Sequence, residues 1–188
     1  MTSSGEISVD AFKTAMSCWA TGVSIITGHH YEDISMPIGI VCNSLASISL
    51  PEKLILWSVD KSSSSYPHWL TTKSFQIHFL AEDQRDLVAR FAKKGGNKFE
   101  NLEYQTSELG NPILPGSSVR MECTTYQIID TPDHTLIIGK LISLENNNKS
   151  PIIYLHSSLA SSNNVYAQSN KWKVNKWQEQ YSMEKVLS

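Results

Sequence analysis

MPIGIVCNSLASISLPEKLILWSVDKSSSSYP, residues 36–67, is the stretch whose reading decides the fold. Its apolar run Leu54-Ile55-Leu56-Trp57 stops at polar residues, the pattern of a buried strand that delivers chemistry at its end. Ahead of that run lies a small polar cluster, Asn43, Ser44, Ser47 and Ser49. Behind it, Asp60-Lys61 lead into four serines, 62–65, and a helical turn is predicted at Tyr66–Leu70. Hydroxyls beside a lysine suit an anion such as a phosphate. A plain loop with its hydroxyls in water is the other reading of the same run.

Working outward, Phe12, Met16 and Trp19 recur at spacings of four and three, predicting a helix from Ser8 to Trp19 with Ser8 or Asp10 as N-cap and Gly22 as its stop. Ala20–Thr27 is rich in β-branched residues and, after a polar turn, pairs naturally with a strand through Ile38–Val41. Towards the C-terminus, Ser74–Leu80 alternates Phe75, Ile77 and Phe79 against Gln76 and His78, so one face is expected to be wet or to meet a ligand. Glu82–Lys94 has helical spacing at Leu87, Val88 and Phe91, acidic residues first, lysines last, and Gly95-Gly96 as a stop. A loop from Asn97 to Gly116 follows. Val119–Ile129 and His134–Leu144 then read as strands joined at residues 130–133, and Pro151–Leu155 as a last short strand. From Ser157 the chain turns polar, with Trp172 and Trp177, and reads as an arm or a short terminal helix. The pattern predicts a mainly β domain over residues 1–160, an antiparallel barrel with helical additions, and a polar tail over 161–188.

Composition narrows the function. Three cysteines, Cys18, Cys42 and Cys123, form no CxxC pair and suggest neither a disulfide framework nor a zinc site, so a reducing cytoplasmic setting is expected. A net charge of -2 without a basic block argues against nucleic acid, and no apolar run approaches the ~20 residues of a bilayer span. Six histidines occur, none at a metal-ligand spacing, so no metal is expected. There is no GxSxG elbow, P-loop or GxGxxG. Asp133-His134, at a strand start after a turn, reads either as a surface turn histidine or as one tuned by its carboxylate at a cleft mouth.

Seven blocks in order carry a resemblance: ATGVSIIT (20–27), PIGIVCNSLASISL (37–50), SVDKSSSSYP (58–67), FLAEDQRDLVARFA (79–92), NKFE (97–100), ELGNPILPGS (108–117) and DHTLIIGKL (133–141). Together they resemble the short-chain flavin reductases, the reductase partners of two-component flavin monooxygenases. The resemblance implies an FMN-binding split β-barrel, with FAD the less common cofactor, a homodimer, and NADH or NADPH as co-substrate. It places Pro37, Ile38, Gly39, Ile40 and Val41 along the isoalloxazine ring and Asn43 and Ser44 at the ring's polar edge. Ser58, Val59 and Asp60 would follow the ribityl chain, and Ser64 and Ser65 would hold the phosphate, helped by Arg90 with Phe91 beside them. His134 would lie near the nicotinamide as the catalytic position.

The chain departs from the family's pattern where Pro51-Glu52-Lys53 replaces two prolines and Pro132 replaces the glycine before Asp133-His134. It also reads Tyr154-Leu155-His156-Ser157-Ser158-Leu159 where the family has an aromatic followed by Arg-Gly-x-Tyr. His156 and Ser157 therefore stand at the expected nicotinamide or substrate position. Two further readings stay open: an FMN-dependent oxidoreductase acting directly on a small organic substrate, and a flavin-binding module without activity.

Overall fold

The structure, a computed structural model, describes residues 6–30, 32–33 and 35–162. The tail expected from 161, with Trp172 and Trp177, therefore lies outside the described residues beyond Ser162.

Among the described residues, twelve strands and three helices follow one another as α1 (Val9–Ser17), β1 (Thr21–Gly22), β2 (Ser24–His29), β3 (Pro37–Cys42), β4 (Ala46–Ser49), β5 (Leu54–Asp60), α2 (Tyr66–Trp69), β6 (Ser74–Phe79), α3 (Arg85–Ala92), β7 (Gln105–Thr106), β8 (Pro112–Ile113), β9 (Val119–Asp130), β10 (His134–Asn146), β11 (Ile152–Leu155) and β12 (Ser158–Ser161). A 3-10 turn, Glu82–Gln84, leads into α3. Seven strands form an antiparallel sheet in the order β3-β2-β6-β9-β10-β5-β4. Although β3 and β5 are far apart in that order they come into contact, so the twisted sheet curls into the split β-barrel that the resemblance implies.

Alternation along the strands fills the barrel. Ile55, Trp57 and Val59 of β5 point inward, where Trp57 packs edge-on against Trp69 at 5.1 Å and Phe75 at 5.6 Å. A second cluster, including Ile25, Leu80, Leu87, Phe91, Phe99 and Leu114, packs α3 and the following loop onto the outside of the sheet. Cys42 and Cys123 are buried free thiols, whereas Cys18 is exposed.

The fold corrects four sequence expectations. Gln76 and His78 on β6 are buried rather than wet, because the loop after α3 covers that face. His78 is held in place by Nδ1 lying 3.2 Å from Ile25 O and by Nε2 accepting from Leu114 N at 3.0 Å. Burial holds its pKa down to about 4, so the ring is neutral. Helix α1 is capped by Ser8, whose Oγ accepts from Ala11 N, but it ends at Ser17 and leaves its apolar face uncovered: Phe12 is 61%, Met16 52% and Trp19 71% exposed. The loop predicted from Asn97 to Gly116 contains two short strands, β7 and β8, paired with each other. The segment after Ser157 begins as β12, joined to β11 by the two-residue turn His156-Ser157 with φ of 48° and 57°, the signature of a tight hairpin.

Among the described residues no helix is long and apolar enough to cross a membrane, and no cluster of His, Cys, Asp and Glu is arranged to hold a metal ion.

Candidate active site

The site is organised along β3, one of the two edge strands of the seven-stranded sheet. Its side chains alternate: Ile38 and Ile40 pack into the barrel, while Val41 packs on the outer cluster. Gly39 lies under the Phe91 ring, where a Cβ would stand 2.3 Å from Phe91 Cε1, so no larger residue fits. Pro37 to Val41 thus form a wall whose side chains divide between two faces rather than one flat surface. A cleft opens at each end of the strand.

The first cleft, about 480 Å³, lies at the Pro37–Gly39 end and is bordered by Ser64, Ser65, His68, Asn97, Lys98 and Phe99. Lys98 is half-buried, and its Nζ donates to Phe91 O at 2.8 Å and Gly39 O at 3.1 Å. An ammonium has three N–H donors, so one remains for a ligand. Burial holds the Lys98 pKa below its ordinary value. Ser65 is buried, its Oγ accepting from Trp69 Nε1 at 3.0 Å and lying 3.1 Å from Ser63 Oγ; Ser64 is exposed. Arg90 does not border this cleft. Its Nη1 donates to Glu100 O at 2.8 Å and Lys98 O at 3.3 Å, bracing the loop that carries Lys98, and it lines a neighbouring basic cleft with Lys93 and Lys94. Phe91 is 1% exposed and meets Phe99 edge-on at 5.3 Å, so it supports the cleft from beneath. The lysine of the serine loop is also turned elsewhere, since Lys61 Nζ pairs with Asp130 at 2.7 Å.

The second cleft, about 260 Å³, lies at the other end between Val41, Cys42, Asn43, Val88, Tyr154 and Leu159. Asn43 is exposed and also borders an apolar hollow of about 450 Å³ beside Thr21 and Ile152. Ser44 Oγ accepts from Ser58 N at 3.0 Å and from Ser58 Oγ at 2.9 Å, and lies 3.2 Å from Cys42 Sγ. This knot ties the end of β3 to β5. Val59 is fully buried, so only Ser58 and Asp60 of that trio present polar groups outward. Asp60 Oδ1 accepts from Ser62 N at 2.7 Å, and that bond holds its carboxyl below the usual range.

His134 begins β10 directly opposite Asp60, with Nδ1 3.1 Å from Asp133 Oδ1. The bond to His134 holds the Asp133 carboxyl below its usual range. His156 and Ser157 are exposed at the tip of the hairpin whose Tyr154 and Leu159 line the second cleft. His156 N donates to Ser17 O at 2.8 Å, which fastens that tip to the end of α1.

Sequence reasoning gave no role to Lys98, Phe99, Asn97 and His68. The available signal for Lys98 was its place in the NKFE block directly after Gly95-Gly96, a cation on the loop following a helix stop. An anion-ready pit and an apolar slot, joined by an extended strand of about 20 Å, suit an elongated ligand with a charged end and a ring end.

Comparison with known proteins bears on what that ligand is. The family model described as flavin reductase like domain matches residues 16–162. The chain is 36% identical over 144 residues to the FMN reductase (NADH) SmoA of Agrobacterium fabrum, covering 77% of this chain and 80% of that one. It is 38% identical over 129 residues to the reductase component of the flavin-dependent trigonelline monooxygenase of Acinetobacter baylyi, 69% of this chain but 41% of that protein. Among solved structures, nitrilotriacetate monooxygenase component B from Mycobacterium thermoresistibile superposes with a TM-score of 0.74 at 30% identity, over 81% of this chain and 85% of that one. The chain therefore belongs to the flavin reductase like domain family.

Proposed function

We infer that this chain is an NAD(P)H-dependent flavin reductase, with FMN as its favoured flavin, that supplies reduced flavin to a partner monooxygenase. The observation that carries the reading is the pairing of Lys98, Ser64 and Ser65 at one end of β3 with the apolar slot at the other. The residues fit the group. Hydroxyls and an ammonium suit a phosphate, and the extended β3 matches the long axis of a mononucleotide. The same flavin is named for the FMN reductase (NADH) of A. fabrum.

When bound, the flavin supplies a ring that accepts a hydride from the nicotinamide. The chain's own residues bind and orient. Lys98 and the serine hydroxyls fix the phosphate, Ser58 and Asp60 face the ribityl chain, and Asn43 with the Ser44 region borders the ring. His134, steadied by Asp133, stands on the adjoining β10 as the candidate partner of the nicotinamide. The β11–β12 hairpin with His156 and Ser157 is the candidate seat. That seat differs from the family's Arg-Gly-x-Tyr, which keeps a second reading in view: direct oxidoreduction of a small organic substrate with His134 or His156 as acid or base.

One anaerobic stopped-flow experiment decides between them. Mixing FMN-loaded protein with NADH, then NADPH, is expected to bleach the flavin rapidly with at least one of them. No bleaching at millimolar dinucleotide overturns the reductase.

The proposal extends to a homodimer in the cytoplasm. The uncovered α1 face, together with exposed Ile142 and Leu144 on β10, supports an interface, and three free cysteines suit a reducing compartment. Light scattering that returns the mass of one chain at micromolar concentration rejects the dimer.

A further inference from the structure

The first cleft holds a histidine pair that flavin binding as described above does not use. His68, on α2 one turn beyond Ser64 and Ser65, borders the same cleft as Lys98. His30, at the end of β2, stacks against it with ring centroids 3.9 Å apart and planes tilted by 40°. His30 Nδ1 accepts from Glu32 N at 3.3 Å, which makes that nitrogen the unprotonated one. Burial, and then His30, hold the His68 pKa below its ordinary value, with Glu32 acting in the opposite sense.

Among the described residues, the charged and titratable groups around the ring come from two directions. His30, Glu32 and Asp33 belong to the end of β2 and the turn after it, and Glu32 favours the protonated ring. Lys98 faces the cleft from the loop after α3. Helix α2 contributes no other charged side chain.

Resting on the placement of the flavin phosphate in this cleft, we propose that His68, with His30 stacked behind it, selects flavins ending in a phosphate monoester and takes up one proton as that phosphate arrives. The chemistry follows from charge. A terminal monoester carries close to two negative charges at neutral pH, whereas each phosphate of FAD is a diester with one and riboflavin has none. A dianion beside a neutral imidazole favours the protonated ring, which in turn donates a charge-assisted hydrogen bond. No covalent step is involved; the proton comes from solvent.

The sign of the linkage is fixed. His68 has a lower pKa in the free protein than in the complex, so between those values the complex holds the extra proton. Affinity for FMN therefore rises as pH falls through that window. It levels once free His68 is itself protonated, and fades below about pH 6 as the phosphate protonates.

The test is fluorescence titration of the full chain with riboflavin, FMN and FAD at about pH 8.5 and about pH 6.5. It is run on wild type, His68→Asn and His68→Lys. Wild type is expected to bind FMN about tenfold more tightly at the lower pH, with riboflavin and FAD shifting by less than about twofold. His68→Asn loses the pH effect while keeping its riboflavin affinity, which also shows that the site is folded. His68→Lys, with a fixed charge, binds FMN tightly at both values. Calorimetry in two buffers of different ionisation enthalpy reads the proton directly. A pH slope that persists in His68→Asn, or that riboflavin shares, assigns the proton elsewhere and overturns the proposal while leaving flavin binding intact. Wild type that binds none of the three overturns the flavin reading and this one with it.

Discussion

The two ends of β3 use polar groups in opposite ways. At the Pro37–Gly39 end the exposed Ser64 and the third N–H of Lys98 face open space, gathered from separate segments of the chain. At the Val41–Asn43 end, Ser44 and Ser58 are engaged with each other, and what faces the cleft is largely Val41, Val88, Tyr154 and Leu159. Under the proposed placement of the flavin, polarity at the first end would recognise the phosphate. At the second it shapes the slot, and apolar area would do the binding.

The contrast depends on a shared foundation, which gives the largest expected effect. Phe91 packs against Gly39, meets Phe99, and offers its carbonyl to Lys98. Phe91→Ala is expected to cost about 3–5 kcal/mol in urea denaturation and to weaken riboflavin and FMN alike. Normal FMN affinity in this variant would show that the two ends do not share a base.

Acid removes both ends together, through His78. Its folded pKa is about 4 against 6.5 for an ordinary histidine, so its contribution is fully present above pH 6.5 and is lost as pH falls from there towards 4. The loss amounts to about 3 kcal/mol of unfolding free energy, measurable as denaturant midpoints along that pH range. A His78→Gln variant with an unchanged pH slope would reject this assignment.

Lys98→Met sharpens the comparison by touching one end. FMN affinity should drop by about 1.5–3 kcal/mol, roughly 10- to 100-fold, with riboflavin little changed. Equal loss for both flavins would move the phosphate out of the first cleft.

The smallest effect is expected at the other end. Ser44→Ala leaves the Ser58 amide without its acceptor and should cost about 1 kcal/mol of stability, lowering riboflavin and FMN affinity in parallel. A loss specific to FMN would contradict the division of labour between the ends.

Period-two patterns and turn residues made most of the barrel legible, because a strand buried on one face writes its own register. They failed on β6, whose second face is covered by polar partners contributed by a distant loop, an arrangement that local alternation cannot express. Helices α1 and α3 show the same limit from the other side. Both have apolar residues at helical spacing, yet α3 buries Leu87 and Phe91 while α1 buries none. Spacing specifies a helix and says nothing of what lies against it. In the candidate site, the serine loop and β3 stood out as contiguous motifs. Lys98 and His68 did not, since each matters only through neighbours distant in sequence, and the resemblance pointed to Arg90, whose Nη1 is engaged by two carbonyls.

Cys42 closes β3 within 3.2 Å of Ser44, and burial pushes its thiol pKa up. Reduced flavin reacts with oxygen to give peroxide, so with flavin in the proposed site a sulfur at this position would be repeatedly offered an oxidant. The thiolate is the form that peroxide attacks, and here it is scarce. Under the proposed function the same packing would protect this sulfur in aerobic turnover, and mass spectrometry after such turnover should find sulfenic and sulfinic adducts on exposed Cys18 before Cys42.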